Sequence, residues 1–199
     1  MLRVFQGAAL LVKEWRREKL TFDEMIVSRR SVRQYNDREV EKDKIEAMIY
    51  AAIWAPNAGN FQVLRFVVVR DKGTLERVKM FSPGMPRTAP CVIAICADLG
   101  EAEKRGGEFA KKIVPFDAAF AAQNMLLKAH HLGLGTCVVK SYNEKSINRI
   151  LKLPGEVTVL LLVTVGYYDT VPEAPERKNL SEVLHYESWE SEMRRDEQG

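Results

Sequence analysis

Residues 117–131, "DAAFAAQNMLLKAHH", constrain the fold more than any other stretch. Their periodicity predicts a helix stopped by Gly133, with small or apolar side chains around most of its circumference. Such a helix has to be buried on nearly every side. A chain of 199 residues can bury a sizeable core. It has little room for this helix at its centre, however, unless a second subunit covers part of it. "FVVV", "CVIAICA" and "VTVLLLVTV" are continuous apolar runs, the mark of strands buried on both faces. The expectation is an α+β, α/β sandwich fold: a mixed central sheet flanked by helices, in a homodimer.

Start signals place the remaining elements. Thr21-Phe22-Asp23-Glu24 is a capping box, predicting a helix from there to about Arg29. Asp43-Lys44-Ile45-Glu46 repeats the device and opens the helix "KIEAMIYAAIWA", which must end near Pro56. "VLRFVVV" (63–69) reads as a strand, "TLERVKMF" (74–81) as a short helix, "TCVVK" as a strand and "EKSINRILKL" as a helix. The tail beyond Tyr168 carries Pro172 and Pro175, the basic pair Arg177-Lys178 and a short helical pattern, "LSEVLHYESW".

Thirty basic residues face 27 acidic ones. That balance is too even to advertise a nucleic acid or an acidic membrane as partner. Cys91 and Cys96 lie on opposite faces of one strand, too far apart to bridge, and Cys137 lies on another, so reduced buried thiols in a cytoplasmic protein are expected. The N-terminus, "MLRVFQGAALLVKEW", has an apolar run interrupted by Gln6 and followed by charge, without a signal-peptide core. No stretch reaches the length of a membrane span.

Several chemistries drop out. "GLGTCV" leads from a helix into a strand, the reverse of a dinucleotide fingerprint, and Gly133 is more simply a helix C-cap. His130 and His131 are adjacent on a helix and point about 100° apart. His185 is distant, so no metal spacing emerges. No nucleophile elbow and no phosphate loop of the G-x-x-x-x-G-K-[ST] type occurs.

What remains is a scattered set of anion- and amide-binding groups. "SRRSVRQY" (28–35) places Arg29, Arg30 and Arg33 within five positions, with Ser31 between them and no acid. "APNAGNFQ" (55–62) is a Pro/Gly loop with the side-chain amides Asn57, Asn60 and Gln62, and Arg177-Lys178 follows the Pro-rich bend. Guanidinium forks suit a phosphate, amides a heteroaromatic edge and hydroxyls a sugar-like chain. Each feature alone has a bland reading. Charges at helix ends cap carbonyls, Asn tolerates turns, and Trp54, Phe116 and Phe120 suit a core or an interface. Gln123 and Asn124 suit structural hydrogen bonds.

"SRRSVRQY", "APNAGNFQVLRFVVV", "AAQNMLLKAHHLGLGTCVVKSY" and "ERKNLSEVL" occur in this order. Together they resemble the FMN-dependent nitroreductase family from about Thr21 to the C-terminus. Residues 1–20 form an N-terminal extension, expected to be helical, and 21–199 a single FMN-binding domain. The resemblance implies FMN as cofactor, NADH or NADPH as electron donor, and an electron-poor small-molecule acceptor such as a nitroaromatic or quinone. Hydride would pass through flavin N5 by a ping-pong mechanism.

By position, the resemblance implies that Arg29, Arg30 and Ser31 serve the phosphate and ribityl chain, with Arg33 near the pyrimidine edge of the ring. Pro56, Asn57 and Asn60 would approach from the other subunit, with Gln62 as an addition. The backbone of Val139, Lys140 and Ser141 would meet the flavin near N5, and Arg177 and Lys178 would close over the phosphate. No side-chain acid or base is obligatory. Two departures stand out: Lys140, where the family often has a small residue, and Val63-Leu64, where it often has Pro-Trp. A specialised branch (a dehalogenase, a flavin-fragmenting enzyme or a dehydrogenase of modified peptides) stays open, as does a flavin-binding module without turnover. "GEAEKRGGEFAKKIVP" (100–115) lies where the family varies its active-site cover.

Overall fold

The structure is a computed structural model and describes residues 20–189. The helix expected within 1–20 lies outside the described residues, Leu20 excepted. In chain order the elements are α1 (Phe22–Ser28), α2 (Lys42–Ile53), a 3-10 turn (Ala58–Asn60), β1 (Leu64–Val69) and α3 (Lys72–Met80). There follow β2 (Cys91–Asp98), α4 (Leu99–His131), β3 (Gly135–Val139), α5 (Glu144–Ile150), β4 (Val157–Gly166) and a second 3-10 turn (Leu180–Glu182).

The sheet has the order β1-β2-β4-β3, and its three ladders are antiparallel. The parallel component enters at the edge, where Ser31 bridges to Thr136. β2 is buried along seven of its eight residues, as its unbroken apolar run requires. Alternate residues feed two cores: Cys91, Ile93 and Ile95 pack with α2 and α4, while Val92, Ala94 and Cys96 pack on the opposite face. The three cysteines are free and buried.

The capping box at Thr21 forms as expected: the Glu24 amide donates to Thr21 Oγ1 and the Thr21 amide to Glu24 Oε2. The box at Asp43 does not. α2 starts at Lys42, and Glu41, in the cap position, makes no capping bond. Its carboxylate is drawn to tertiary partners instead, the Tyr167 hydroxyl at 2.7 Å and Arg38 at 2.9 Å. Asp71 and Asn143 cap α3 and α5; such caps stabilise by about 1 kcal/mol each.

α4 is longer than the stretch that predicts it. It begins at Leu99, deviates from helical backbone at Gly106 and Gly107, and then continues to His131. Gly133, at φ 74°, ends it in the left-handed conformation that suits glycine. The helix is not buried on every side, however. Ala118, Ala121, Ala122 and Met125 are fully enclosed, whereas Phe116 and Phe120 stand 63% and 51% exposed. Tyr50, Ile53 and Trp54 of α2 are also exposed, so neither Trp54 nor the phenylalanine pair belongs to the core of the single chain. Asn124 makes its structural bond, donating to the Ala51 carbonyl; Gln123 is exposed.

Candidate functional site

The arginine segment is seated on the sheet edge by backbone. After Ser28 the chain turns extended at Arg29, and the Val32 amide donates to the Thr136 carbonyl at 2.9 Å. The Tyr35 hydroxyl donates to the Val32 carbonyl at 2.8 Å and meets Thr164 Oγ1 at 2.7 Å, fastening the segment to β4. The guanidiniums of Arg29 and Arg33 act on the Cys137 thiol, lowering it against the larger upward push of burial. Both cations therefore act electrostatically on the middle of β3. No ion pair among the described residues involves Arg29, Arg30 or Arg33. Arg30 is partly committed, since its guanidinium caps the Val27 and Arg29 carbonyls at 2.6 and 2.9 Å.

His130 joins this group, although nothing in its sequence position points there. Its Nε2 lies 2.8 Å from Ser28 Oγ, whose single proton goes to the Glu24 carbonyl. Nε2 must therefore carry the hydrogen. Burial, and then the charges of Arg29 and Arg30, hold His130 below its usual range.

β3 delivers the third element. Val139 is buried, and Lys140 and Ser141 emerge exposed beyond it. Lys140 Nζ donates to the Tyr142 hydroxyl at 3.2 Å, and that hydroxyl donates to the Val159 carbonyl at 3.2 Å.

The amide loop lies elsewhere. The Gln62 amide donates to Asn57 Oδ1 at 3.0 Å, and Gly59, Asn60 and Gln62 all have positive φ. The Ala58 amide donates to Asp117 Oδ1 at 3.1 Å, tying the loop to α4. Asp117 is buried, and that burial raises its carboxyl. Pro56, Asn57, Gln62, Phe66 and Asp117 line a cleft of about 160 Å³.

The loop is thus anchored near the middle of α4 and the arginine segment at its C-terminal end. Asp117 and His130 are thirteen residues apart, roughly 20 Å at 1.5 Å per residue. A single chain brings Arg29, Arg30, Ser31, Arg33 and the Val139–Ser141 segment to one sheet edge. It leaves Pro56, Asn57, Asn60 and Gln62 apart from them. Arg177 and Lys178 sit on an exposed stretch and make no hydrogen bond or ion pair among the described residues. Among the described residues no cluster of His, Cys, Asp and Glu has metal-binding geometry.

The donor set at the edge, three guanidiniums and a hydroxyl without an acid, fits a phosphorylated polyol. The amides and the cleft beside them fit a planar heterocycle. Sequence reading missed His130 and Asp117. A buried acid next to the apolar stretch of α4 was the one available signal for the latter.

Comparison with known proteins gives a consistent result. The profile described as Nitroreductase family matches residues 26–82 and 74–167. A Methanothermobacter thermautotrophicus protein provisionally named NADH dehydrogenase/NAD(P)H nitroreductase is 32% identical over 179 residues, covering 86% of this chain and 89% of that protein. A Bacillus subtilis protein named FMN reductase, NAD(P)H, is 26% identical over 158 residues, covering 71% of this chain and 64% of its own. The crystal structure of a nitroreductase family protein from Clostridium difficile superposes with a TM-score of 0.75 at 30% identity, covering 85% of this chain and 99% of that one.

Proposed function

Because the chain belongs to the nitroreductase family, we propose that it is an FMN-dependent oxidoreductase that passes electrons from NADH or NADPH to an electron-poor small molecule. One observation carries this reading: an arginine cluster without acidic partners, laid along β3 by backbone hydrogen bonds. Guanidiniums that no acid engages are available to grip a phosphate. FMN, once bound, would supply the hydride chemistry between donor and acceptor.

The protein's part is binding, orientation and electrostatics. Arg29 and the free nitrogens of Arg30 hold the phosphate, and the Ser31 hydroxyl meets the ribityl chain. His130, neutral and fixed on Ser28, packs behind these cations without adding a charge of its own. Arg33 supplies a fixed positive charge where the ring gains electron density on reduction. The backbone at Val139, Lys140 and Ser141 offers amides to the ring's reacting edge. Asn57, Asn60 and Gln62 bring amides to the heterocycle, and Arg177 with Lys178 closes over the phosphate.

The working unit in this reading is a homodimer. Phe116 and Phe120 on α4, with Tyr50, Ile53 and Trp54 on α2, leave large apolar side chains in water, a surface that soluble monomers rarely expose. A partner crossing α4 antiparallel would carry its amide loop across the roughly 20 Å that separates loop from arginines within one chain. Residues 21–199 form one FMN-binding domain. Free buried thiols fit a reducing compartment, the cytoplasm, and no helix among the described residues is long and apolar enough to cross a membrane.

The experiment is direct. The purified protein is expected to be yellow, to release FMN on denaturation at about one per chain, and to bleach rapidly with NADH or NADPH. FAD, or no flavin after reconstitution, refutes the cofactor; bound FMN that no nicotinamide donor reduces refutes the enzyme.

A further inference from the structure

We propose that Lys140 makes this site select anionic electron acceptors, its ammonium receiving an acidic substituent of the acceptor at the exit of β3. The inference rests on the flavin reading of the β3 edge. In that reading Arg29 and Arg30 would hold the phosphate and the Val139–Ser141 backbone would meet the ring, and Lys140 is the first side chain beyond the strand.

Three observations support the role. First, the ammonium is uncommitted to any acid: no ion pair among the described residues involves Lys140. Burial, and then the charge of Glu144 on the first turn of α5, raises the Tyr142 phenol, and Glu144 forms no ion pair with the lysine. Second, the ammonium is parked. The Tyr142 hydroxyl spends its proton on the Val159 carbonyl, so it can only accept from Lys140, and the ammonium also stands 5.0 Å from the Tyr142 ring centroid. One of its three protons is used and two remain for a ligand. A long side chain held this way loses less freedom on binding than a free one.

Third, the edge gathers cations, with Glu144 forming no ion pair to any of them. The arginine segment pairs with β3 at Thr136, and from there to Lys140 is four residues, roughly 13 Å of extended chain. FMN's phosphate answers the arginines and leaves Lys140 without a counterpart. A neutral acceptor gains nothing from that charge, a cationic one is repelled, and a carboxylate, sulfonate or phosphate on the acceptor completes the pair. Lys140 is exposed, so the attraction is screened by salt.

The test compares two acceptors sharing one ring, 1,4-naphthoquinone and its 2-sulfonate. The ratio of kcat/KM for the sulfonate over the neutral quinone is expected to fall about tenfold in Lys140→Gln, which corresponds to about 1.4 kcal/mol. Lys140→Arg should keep the ratio, and added salt should lower it in the wild type but not in Lys140→Gln. A redox-inert probe gives a second readout: by calorimetry, naphthalene-2-sulfonate should bind about tenfold more weakly to flavin-loaded Lys140→Gln, with 2-naphthol affected equally little in both proteins. An unchanged ratio, or a sulfonate affinity that ignores Lys140, overturns the proposal. A wild type that reduces neither quinone fails the flavin-oxidoreductase reading instead, and the calorimetric arm still decides whether Lys140 holds the sulfonate.

Discussion

Replacing Gly135 with alanine probes how the arginine segment is seated. A Cβ at this position would stand 2.7 Å from Tyr168 Cδ1, 2.7 Å from Val32 Cγ2 and 2.8 Å from Val32 Cβ. Carbon atoms pack best at about 3.5–4.0 Å, so each contact is too close by roughly 0.7 Å or more. A rotamer change can move Val32 Cγ2, but Val32 Cβ moves only with its backbone. That backbone is pinned on both sides, through its amide to Thr136 and its carbonyl to Tyr35.

Overpacking of this kind costs about 1–3 kcal/mol. The lost freedom of the unfolded glycine returns about 0.4–1 kcal/mol. The net expectation is a destabilisation of up to about 2.6 kcal/mol, or a melting temperature lower by up to about 10 °C for a chain of this size. FMN should also bind more weakly, because Arg29 and Arg33 flank the displaced residue. Gly155→Ala is the internal control. A Cβ there meets nothing within 4 Å, so the same substitution should leave stability unchanged or raise it by up to about 1 kcal/mol. Thermal and urea denaturation of the flavin-free proteins, with FMN titration by fluorescence quenching, measure both. The reasoning is refuted if the two variants shift stability in the same direction by the same amount.

Arg33→Gln should lower the flavin reduction potential by about 30–65 mV, the equivalent of a charge-assisted hydrogen bond of about 1.5–3 kcal/mol. Arg177→Gln should instead raise the FMN dissociation constant and leave the potential alone; spectroelectrochemistry separates the two roles. Phe120→Glu, which puts a charge on the bare face of α4, should convert a homodimer into a monomer in light scattering and strip its FMN. Asp117→Asn keeps an acceptor for the Ala58 amide but removes a buried charge. Because burial raises the native carboxyl, the native state binds the proton more tightly than the unfolded chain does. Wild-type stability should therefore fall as pH rises from about 3.9 through the raised native value. The asparagine variant should lack that fall, so its advantage in urea midpoint grows between pH 4 and pH 7; an advantage confined to pH 4 would contradict the sign.

Secondary structure was largely legible, because β2, β4 and the buried part of α4 are apolar runs whose length and period admit one reading. The errors have local causes. The Asp43 box was a valid pattern, but Glu41 two residues earlier found Tyr167 and Arg38, the first more than a hundred residues away. "LSEVLHYESW" has helical spacing yet forms only the 3-10 turn Leu180–Glu182, since Leu180, Val183, Tyr186 and Trp189 find no surface of their own chain to cover. At the site, the arginine cluster was visible as an imbalance of charge. Its purpose came from resemblance, because residue types alone do not distinguish a ligand site from a solvated helix end. His130 could not be read at all, as its partner Ser28 is 102 residues distant. The full circumference of α4 was misjudged for a related reason. Composition says a face is apolar, but not whether the same chain covers it.

The placement of the thiols bears on how long such a protein would last. Burial pushes Cys91 and Cys96 up to about 12, and Cys137 upward as well. At neutral pH the thiolate fraction of the first two is on the order of 10⁻⁵, against a few per cent for an ordinary cysteine. Peroxides and alkylating quinones attack the thiolate, so these sulfurs offer them almost nothing. A catalyst that handles electrons beside oxygen and reactive acceptors generates its own corrosives, and this one carries its cysteine thiols where that chemistry reaches least.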